Sequence, residues 1–202
     1  MDGPVEWASC GEAWFWLMRH VLACGVPADD DRGPILEAPA VLFAIRRVKG
    51  EDPIVERYGD AAKAALYARK FTEDQVVAPF KYSYGERIHG QLDWATAVLR
   101  AKPYSKSAWI SLTRQNEPPD RVPCLAGVAF RIRQSRLVMT AAFRSQNAYT
   151  SYLNYLPLAD VQAEMARNLG LDTGPMRVFV DVPHLYQADL TRVWDLMGSR
   201  AA

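Results

Sequence analysis

Cys124 stands in the run Arg121-Val122-Pro123-Cys124-Leu125, and twenty positions later the chain reads Phe143-Arg144-Ser145-Gln146-Asn147-Ala148-Tyr149. A thiol is a weak nucleophile until it ionises, and a guanidinium brought beside it favours the thiolate. Two alternating runs between residues 127 and 143 flank Gln134-Ser135, so a hairpin is expected to return Arg144 to Cys124. Asn154 follows ten residues after Arg144, and Pro183-His184-Leu185-Tyr186 begins twenty-nine residues after Asn154. His184 and Tyr186, two apart on an extended segment, share one face. A hydrolase built on Cys124, His184 and Asp181 is a weaker reading, because no spacing signature supports it.

The order cysteine, arginine, serine, asparagine, histidine, tyrosine resembles that of the thymidylate synthase superfamily, including its short archaeal-type members and the related pyrimidine nucleotide hydroxymethylases. The resemblance is strongest between Tyr84 and Tyr186. It implies an α+β fold, a large bent mixed sheet with packed helices, through which two subunits associate face to face. It implies the addition of a Cys124 thiolate to carbon 6 of a pyrimidine ring, which makes carbon 5 nucleophilic towards a one-carbon unit from 5,10-methylenetetrahydrofolate. In this likeness Asn154 reads the base through its amide, which suits uracil better than the aspartate of cytosine-using relatives. The segment 147–154 is one residue shorter than the family pattern, so Tyr155 is the alternative occupant; Gly174, His184 and Tyr186 fall into register from Asn154. Arg144 and Ser145 resemble the pair that binds the 5′-phosphate, and His184 and Tyr186 the partners of the ribose hydroxyls. Tyr84, in Tyr82-Ser83-Tyr84-Gly85, resembles the tyrosine of the proton-relay network. Glu56 is the candidate for the carboxylate that organises the relay water, and Arg32 for a mobile phosphate-binding arginine.

Departures from the family pattern bear on the product. Two adjacent arginines that reach into the partner subunit are represented by Lys106-Ser107, which leaves Lys106 as the one charge. The aspartate that contacts the folate pterin is Asn147, Leu125 replaces a histidine, and residues 197–202 lack the usual closing tail. The expected activity is folate-dependent one-carbon transfer to pyrimidine carbon 5, with dUMP methylation first and hydroxymethylation of (d)UMP or (d)CMP as the alternative. A nucleotide-binding protein without turnover is the reading from another class.

The 202 residues, half of them hydrophobic, are enough for one well-buried domain spanning residues 1–202. A net charge of +1 with scattered basic residues points to a small-molecule ligand and away from nucleic acid polymers and membranes. Three cysteines without metal-ligand spacing imply a reduced, cytoplasmic setting and no metal. Ser9 should cap a helix to Cys24 with Trp14, Leu17, Met18, Val21 and Leu22 on its core side and Gly25 as its stop. Residues 26–34 read as a loop, 40–45 as a strand and 53–71 as one helix with Ala61, Ala65 and Ala68 on a close-packing stripe. Asp93 reads as the cap of a helix through Leu99 ended by Pro103, followed by a strand at 108–112. Leu158, Val161, Met165 and Leu169 repeat at helical spacing up to Gly170, and Met176, Val178, Val180 and Val182 alternate as a strand ending near His184.

Overall fold

The computed structural model describes residues 5–198 of the chain. The alternating runs around Gln134-Ser135 form the hairpin: β6 (Leu125–Arg133) pairs antiparallel with β7 (Arg136–Asn147). Both turn residues take left-handed backbone, with φ of 51° and 58°, the two-residue turn whose twist matches right-twisted strands. On its other side β7 runs parallel to β8 (Asp172–Tyr186), the longest strand. β4 (Val41–Arg47) lies antiparallel to β8, β1 (Val5–Ser9) parallel to β4, and β5 (Trp109–Ser111) extends the far edge beside β6. The order is β1-β4-β8-β7-β6-β5, and a second hairpin, β2 (Val26–Asp30) with β3 (Gly33–Glu37), joins the end of β8. The result is the mixed α+β architecture, with a large mixed sheet and packed helices, that the family resemblance implied.

Period-two alternation explains which side of the sheet is covered. Ile110, Val128, Ala141, Val178 and Phe43 stand in register across five strands, and all are buried. Against this face pack α1 (Cys10–Cys24), α4 (Gly85–Ala101) and α5 (Tyr152–Leu169), with α3 (Ala61–Thr72) laid over α4 and α5. The adjacent row, Gly127, Ala142, Phe179 and Leu42, faces the other way. There Leu42 is 50%, Phe179 39% and the neighbouring Trp109 45% exposed, so this apolar side is uncovered in the single chain. Among the described residues, no helix is long and apolar enough to cross a membrane.

Ser9 caps α1 by accepting the Glu12 N–H at 3.3 Å, and Trp14, Leu17, Met18 and Val21 are buried, with Leu22 partly so. α5 ends at Gly170 in a left-handed cap as the sequence suggests, but it begins six residues before Leu158. Three expectations are corrected. Residues 26–34 are not a loop: they form most of the β2–β3 hairpin, whose exposed edge position leaves no apolar alternation to read. The single helix over 53–71 is two, α2 (Pro53–Tyr58) and α3, because Gly59 closes the first onto the Val55 carbonyl and the Asp60 side chain caps the second at Lys63 N–H. Ala61 and Ala65 are accordingly exposed and make no close-packing stripe. Asp93 lies within α4 and does not cap it; the helix starts at Gly85, where Ser83 Oγ accepts the Glu86 N–H.

The Gln134-Ser135 turn holds two non-glycine residues in left-handed backbone, which carries a conformational cost. Replacing the pair with Asn-Gly is expected to stabilise the protein by about 1 kcal/mol. A higher urea midpoint at unchanged slope is the sign to look for; an unchanged or lower midpoint means the turn carries no such cost.

Candidate active site

Cys124 is the first residue beyond the paired part of β6. Its carbonyl accepts the Arg144 N–H at 2.9 Å, so the hairpin does bring the two together. Between Leu125 and Gly127 β6 spends two steps against one on β7, a bulge that re-aims the strand end. Ser145 Oγ lies 3.7 Å from Cys124 Sγ. The Arg144 guanidinium is held by backbone: Nε donates to Pro123 O at 3.0 Å and Nη2 to Val122 O at 2.9 Å. Two of its five N–H donors are thereby used, and the exposed side chain keeps the rest for an anion.

Two tyrosines fix the backbone at Cys124. The Cys124 N–H donates to the Tyr82 hydroxyl at 3.3 Å and the Leu125 N–H to the Tyr84 hydroxyl at 3.2 Å. Tyr84 is buried against Phe71, ring centroids 4.5 Å apart, and Gly85 after it allows the start of α4 to meet the end of α3. A Cβ on Gly85 would stand 2.6 Å from the Glu73 carbonyl oxygen and 3.0 Å from that of Phe71. Burial, with Tyr82 and Cys124 adding to it, pushes the Tyr84 phenol well above its usual value, so it stays neutral.

Lys70, on the last turn of α3, was not legible as a site residue. It is only 6% exposed, and its ammonium lies 4.1 Å from the ring centroid of Tyr82, 4.4 Å from Tyr84, 4.5 Å from Phe80 and 5.8 Å from Tyr67. Among the described residues it forms no salt bridge. Burial lowers its pKa to about 8, the charge of Cys124 opposes that shift, and Arg32 and Arg87 add to it. Arg87, 5.4 Å from the Tyr82 centroid on its guanidinium carbon, is neutralised by a buried pair with Glu117, Nη1 to Oε2 2.9 Å.

The end of β8 forms a second wall. The parallel register sets Ser145 opposite Val182 and Asn147 opposite His184, while β3 sets Ile35 opposite Tyr186. His184 is buried and donates from Nδ1 to the Val182 carbonyl at 3.2 Å, leaving Nε2 as an acceptor. Burial lowers its pKa, which keeps the ring neutral near pH 7. Tyr186 donates to Asp30 Oδ1 at 2.9 Å; burial and then this carboxylate raise its pKa to about 12. Arg32, in the β2–β3 turn, lies 6.0 Å from the Tyr186 ring centroid. Arg32, Tyr67, Asn147, Thr150, Tyr186 and Asp189 line a cavity of about 330 Å³. Cys124 is outside this wall, but Tyr67 and Tyr186 within it both interact electrostatically with the thiol.

Other sequence candidates fall differently. Asn154, half-buried in the first turn of α5, makes a backbone bond to Ser151 O at 3.0 Å. Tyr155 is fully buried between Phe43 and Phe143 and donates to Gln146 Oε1 at 2.7 Å, so helix phase sends it to the core. Asn147 Oδ1 accepts the Tyr149 N–H at 3.0 Å. Glu56 is exposed, and its Oε1 accepts the Asp52 N–H at 3.4 Å in the cap of α2. Lys106 is exposed in the loop before β5, outside the cavity wall. Asp181 is exposed, and His184 Nδ1 is directed to a backbone carbonyl, so no Cys-His-Asp relay forms. Residues 199–202, most of the atypical tail, lie outside the described residues.

The chain matches no family model. A curated protein of Methanothermobacter thermautotrophicus is 30% identical over 215 aligned positions, covering 94% of this chain and 96% of the relative. A Methanosarcina barkeri protein is 26% identical over 204 positions, 92% and 88% of the two chains, and one from Methanocaldococcus jannaschii is 26% identical over 153, 70% and 69%. All three carry the provisional name thymidylate synthase. The sheet and these relatives together place the chain among thymidylate synthase-like proteins, a class of one-carbon transfer enzymes in nucleotide biosynthesis. The chain belongs to the thymidylate synthase family.

A buried, unpaired ammonium costs stability. With a folded pKa of about 8 against 10.5 unfolded, the unfolded chain binds more protons between those values. Stability therefore rises with pH across that window, and the cost is complete below pH 8. Lys70→Met is expected to stabilise the protein at pH 7 by roughly 1–3 kcal/mol, with the gain shrinking towards pH 10.5. Urea unfolding at both pH values reads this directly; a loss of stability at pH 7 refutes the assigned cost.

Proposed function

We propose that this chain transfers a one-carbon unit from 5,10-methylenetetrahydrofolate to carbon 5 of a pyrimidine nucleotide, with dUMP methylation as its first activity. The observation that carries the reading is the meeting of Cys124, Arg144 and Ser145 at one sheet end with His184 and Tyr186 across the β7–β8 register.

In this reading the Cys124 thiolate forms a bond to carbon 6, and the ring's 5,6 double-bond electrons move onto the carbon 4 oxygen as an enolate. Asn154 donates and accepts along the ring edge and stabilises that charge. Arg144 uses its remaining N–H donors, with Ser145 and Arg32, to hold the 5′-phosphate. His184 Nε2 accepts from a ribose hydroxyl, and Tyr186 closes the same end. Tyr84 would pass protons near carbon 5 through its hydroxyl. The cavity holds polar Asn147, Thr150 and Asp189 beside the Tyr67 ring, a mixture and size that suit a flat polar heterocycle. When bound there, folate supplies a carbon at the formaldehyde level and, for methylation, a hydride. Asn147 would offer its amide nitrogen to it.

A second reading, hydroxymethylation of (d)UMP or (d)CMP, draws on that same residue. Asn147 Oδ1 is committed to the Tyr149 N–H, so it leaves a pterin donors but no paired acceptor, and water in place of hydride gives the hydroxymethyl product. The uncovered face with Leu42, Phe179 and Trp109 supports a homodimer packed sheet to sheet. Lys106, three residues before Trp109, would then reach the partner's phosphate.

Incubation with dUMP, UMP, dCMP and CMP plus methylenetetrahydrofolate, followed by mass spectrometry, separates the readings. Methylated dUMP is expected, and a hydroxymethyl product would establish the second reading. Absence of either with all four nucleotides leaves only a nucleotide-binding protein. Cys124→Ser is expected to lower turnover by roughly a thousandfold or more, since a neutral hydroxyl replaces a thiolate.

Arg144→Gln tests the phosphate grip. It removes a charge-assisted fork and is expected to weaken nucleotide binding by roughly ten- to a hundredfold while leaving the nucleoside's affinity unchanged. Equal losses for nucleotide and nucleoside in calorimetry would place the phosphate elsewhere.

A further inference from the structure

Lys70 is a cation that the fold buries without an anion. Its ammonium rests on the faces of Tyr82 and Tyr84, at 4.1 and 4.4 Å from their centroids, with Phe80 at 4.5 Å. Aromatic faces offset part of the lost hydration of an ammonium, but they supply no negative charge. The same two tyrosines use their hydroxyls to accept the N–H groups of Cys124 and Leu125. One ring therefore separates the cation from the backbone of the nucleophile.

The other charged groups around this cluster are accounted for. From α4, Arg87 is paired with Glu117; from β7, Arg144 is hydrogen-bonded to the carbonyls of Val122 and Pro123. From the β2–β3 hairpin, Arg32 is exposed and Asp30 accepts from Tyr186 of β8, while His184 of β8 is held neutral by burial. From α3, Tyr67 contributes a ring face 5.8 Å from the ammonium. The anion that interacts favourably with Lys70 across this cage is Cys124.

We infer that the Lys70 ammonium is the counter-cation of the Cys124 thiolate, a positioning residue that acts across the Tyr82 and Tyr84 rings and sets how reactive the nucleophile is before any substrate binds. The inference deepens the reading of Cys124 as the nucleophile and rests on it. It moves the role of thiolate stabiliser from Arg144, whose guanidinium is turned to backbone carbonyls and anion binding, to a residue on another element. The lysine's cost to stability then has a use: a solvated cation would be screened, whereas a desolvated one interacts strongly with a nearby thiolate.

The test is peptide-resolved alkylation of the ligand-free protein with iodoacetamide, because it needs no turnover. Cys24 is exposed and serves as the internal rate reference; Cys10 is fully buried and reports unfolding if it labels. In Lys70→Met, Cys124 is expected to alkylate about tenfold more slowly at pH 7. The Cys24 rate should be unchanged and Cys10 unlabelled. Lys70→Arg should keep most of the parent rate. Equal Cys124 rates in parent and Lys70→Met, with Cys10 unlabelled, overturn the inference.

Should Lys70→Met label Cys10, the reciprocal measurement decides without altering Lys70. The Lys70 side-chain carbon resonance, assigned by its loss in Lys70→Arg, should titrate near pH 8 in the parent and at lower pH in Cys124→Ser. The same midpoint in both proteins overturns the inference. Failure here leaves the proposed reaction standing, whereas full turnover by Cys124→Ser would remove the reaction whatever the alkylation shows.

Discussion

The parallel pairing of β7 with β8 is the constraint on which the rest depends. Its register runs from Arg136 opposite Asp172 to Asn147 opposite His184, with one irregularity near Leu137–Met139. Because side chains alternate, a slip of one residue would turn Met139, Ala141 and Phe143 out of the core and separate Ser145 from the end of β8. The buried rows on both strands make that slip costly. From this register follow the return of β6 to place Cys124 beside Arg144, and the seat of the β2–β3 hairpin that carries Arg32 and Asp30 to Tyr186.

Electrostatics at that sheet end is arranged by desolvation more than by ion pairs. Burial keeps His184 neutral and holds the phenols of Tyr84 and Tyr186 in their protonated forms, so these groups act as hydrogen-bond partners over the whole physiological range. Arg87 is matched by Glu117, which lets it support Tyr82 without adding free charge. Lys70 alone among the buried cations named here lacks an acidic partner. A folded chain tolerates that for a group whose charge is needed, and the need we propose is the Cys124 thiolate beyond the Tyr82 and Tyr84 rings.

Much of the site was legible because it lies on regular elements. The turn at Gln134-Ser135 and the alternating runs beside it were enough to join Cys124 to Arg144, and the spacing of His184 and Tyr186 fixed their shared face. The failures have physical causes as well. Glu56 reads equally well as a water-organising carboxylate or as a solvated glutamate on a helix's first turn, and only the fold shows it bonded to the Asp52 N–H. The break at Gly59-Asp60 was hidden by continuous helical propensity on both sides. Asn154 and Tyr155 were adjacent choices until the phase of α5 sent Tyr155 to Phe43 and Phe143. Lys70 had no signal of its own, since its cage is assembled from residues 67, 80, 82 and 84 only when α3 meets the start of α4.

The central claim is that Cys124 forms a covalent bond to carbon 6 of a pyrimidine nucleotide. A 5-fluorinated deoxyuridine monophosphate tests it most directly, because fluorine cannot leave carbon 5 as a proton does and the adduct persists. With methylenetetrahydrofolate present, intact-mass and peptide spectra should show nucleotide and folate attached to the peptide that contains Cys124, and nothing attached in Cys124→Ser. An unmodified Cys124 under conditions where the nucleotide is shown to bind would contradict the account.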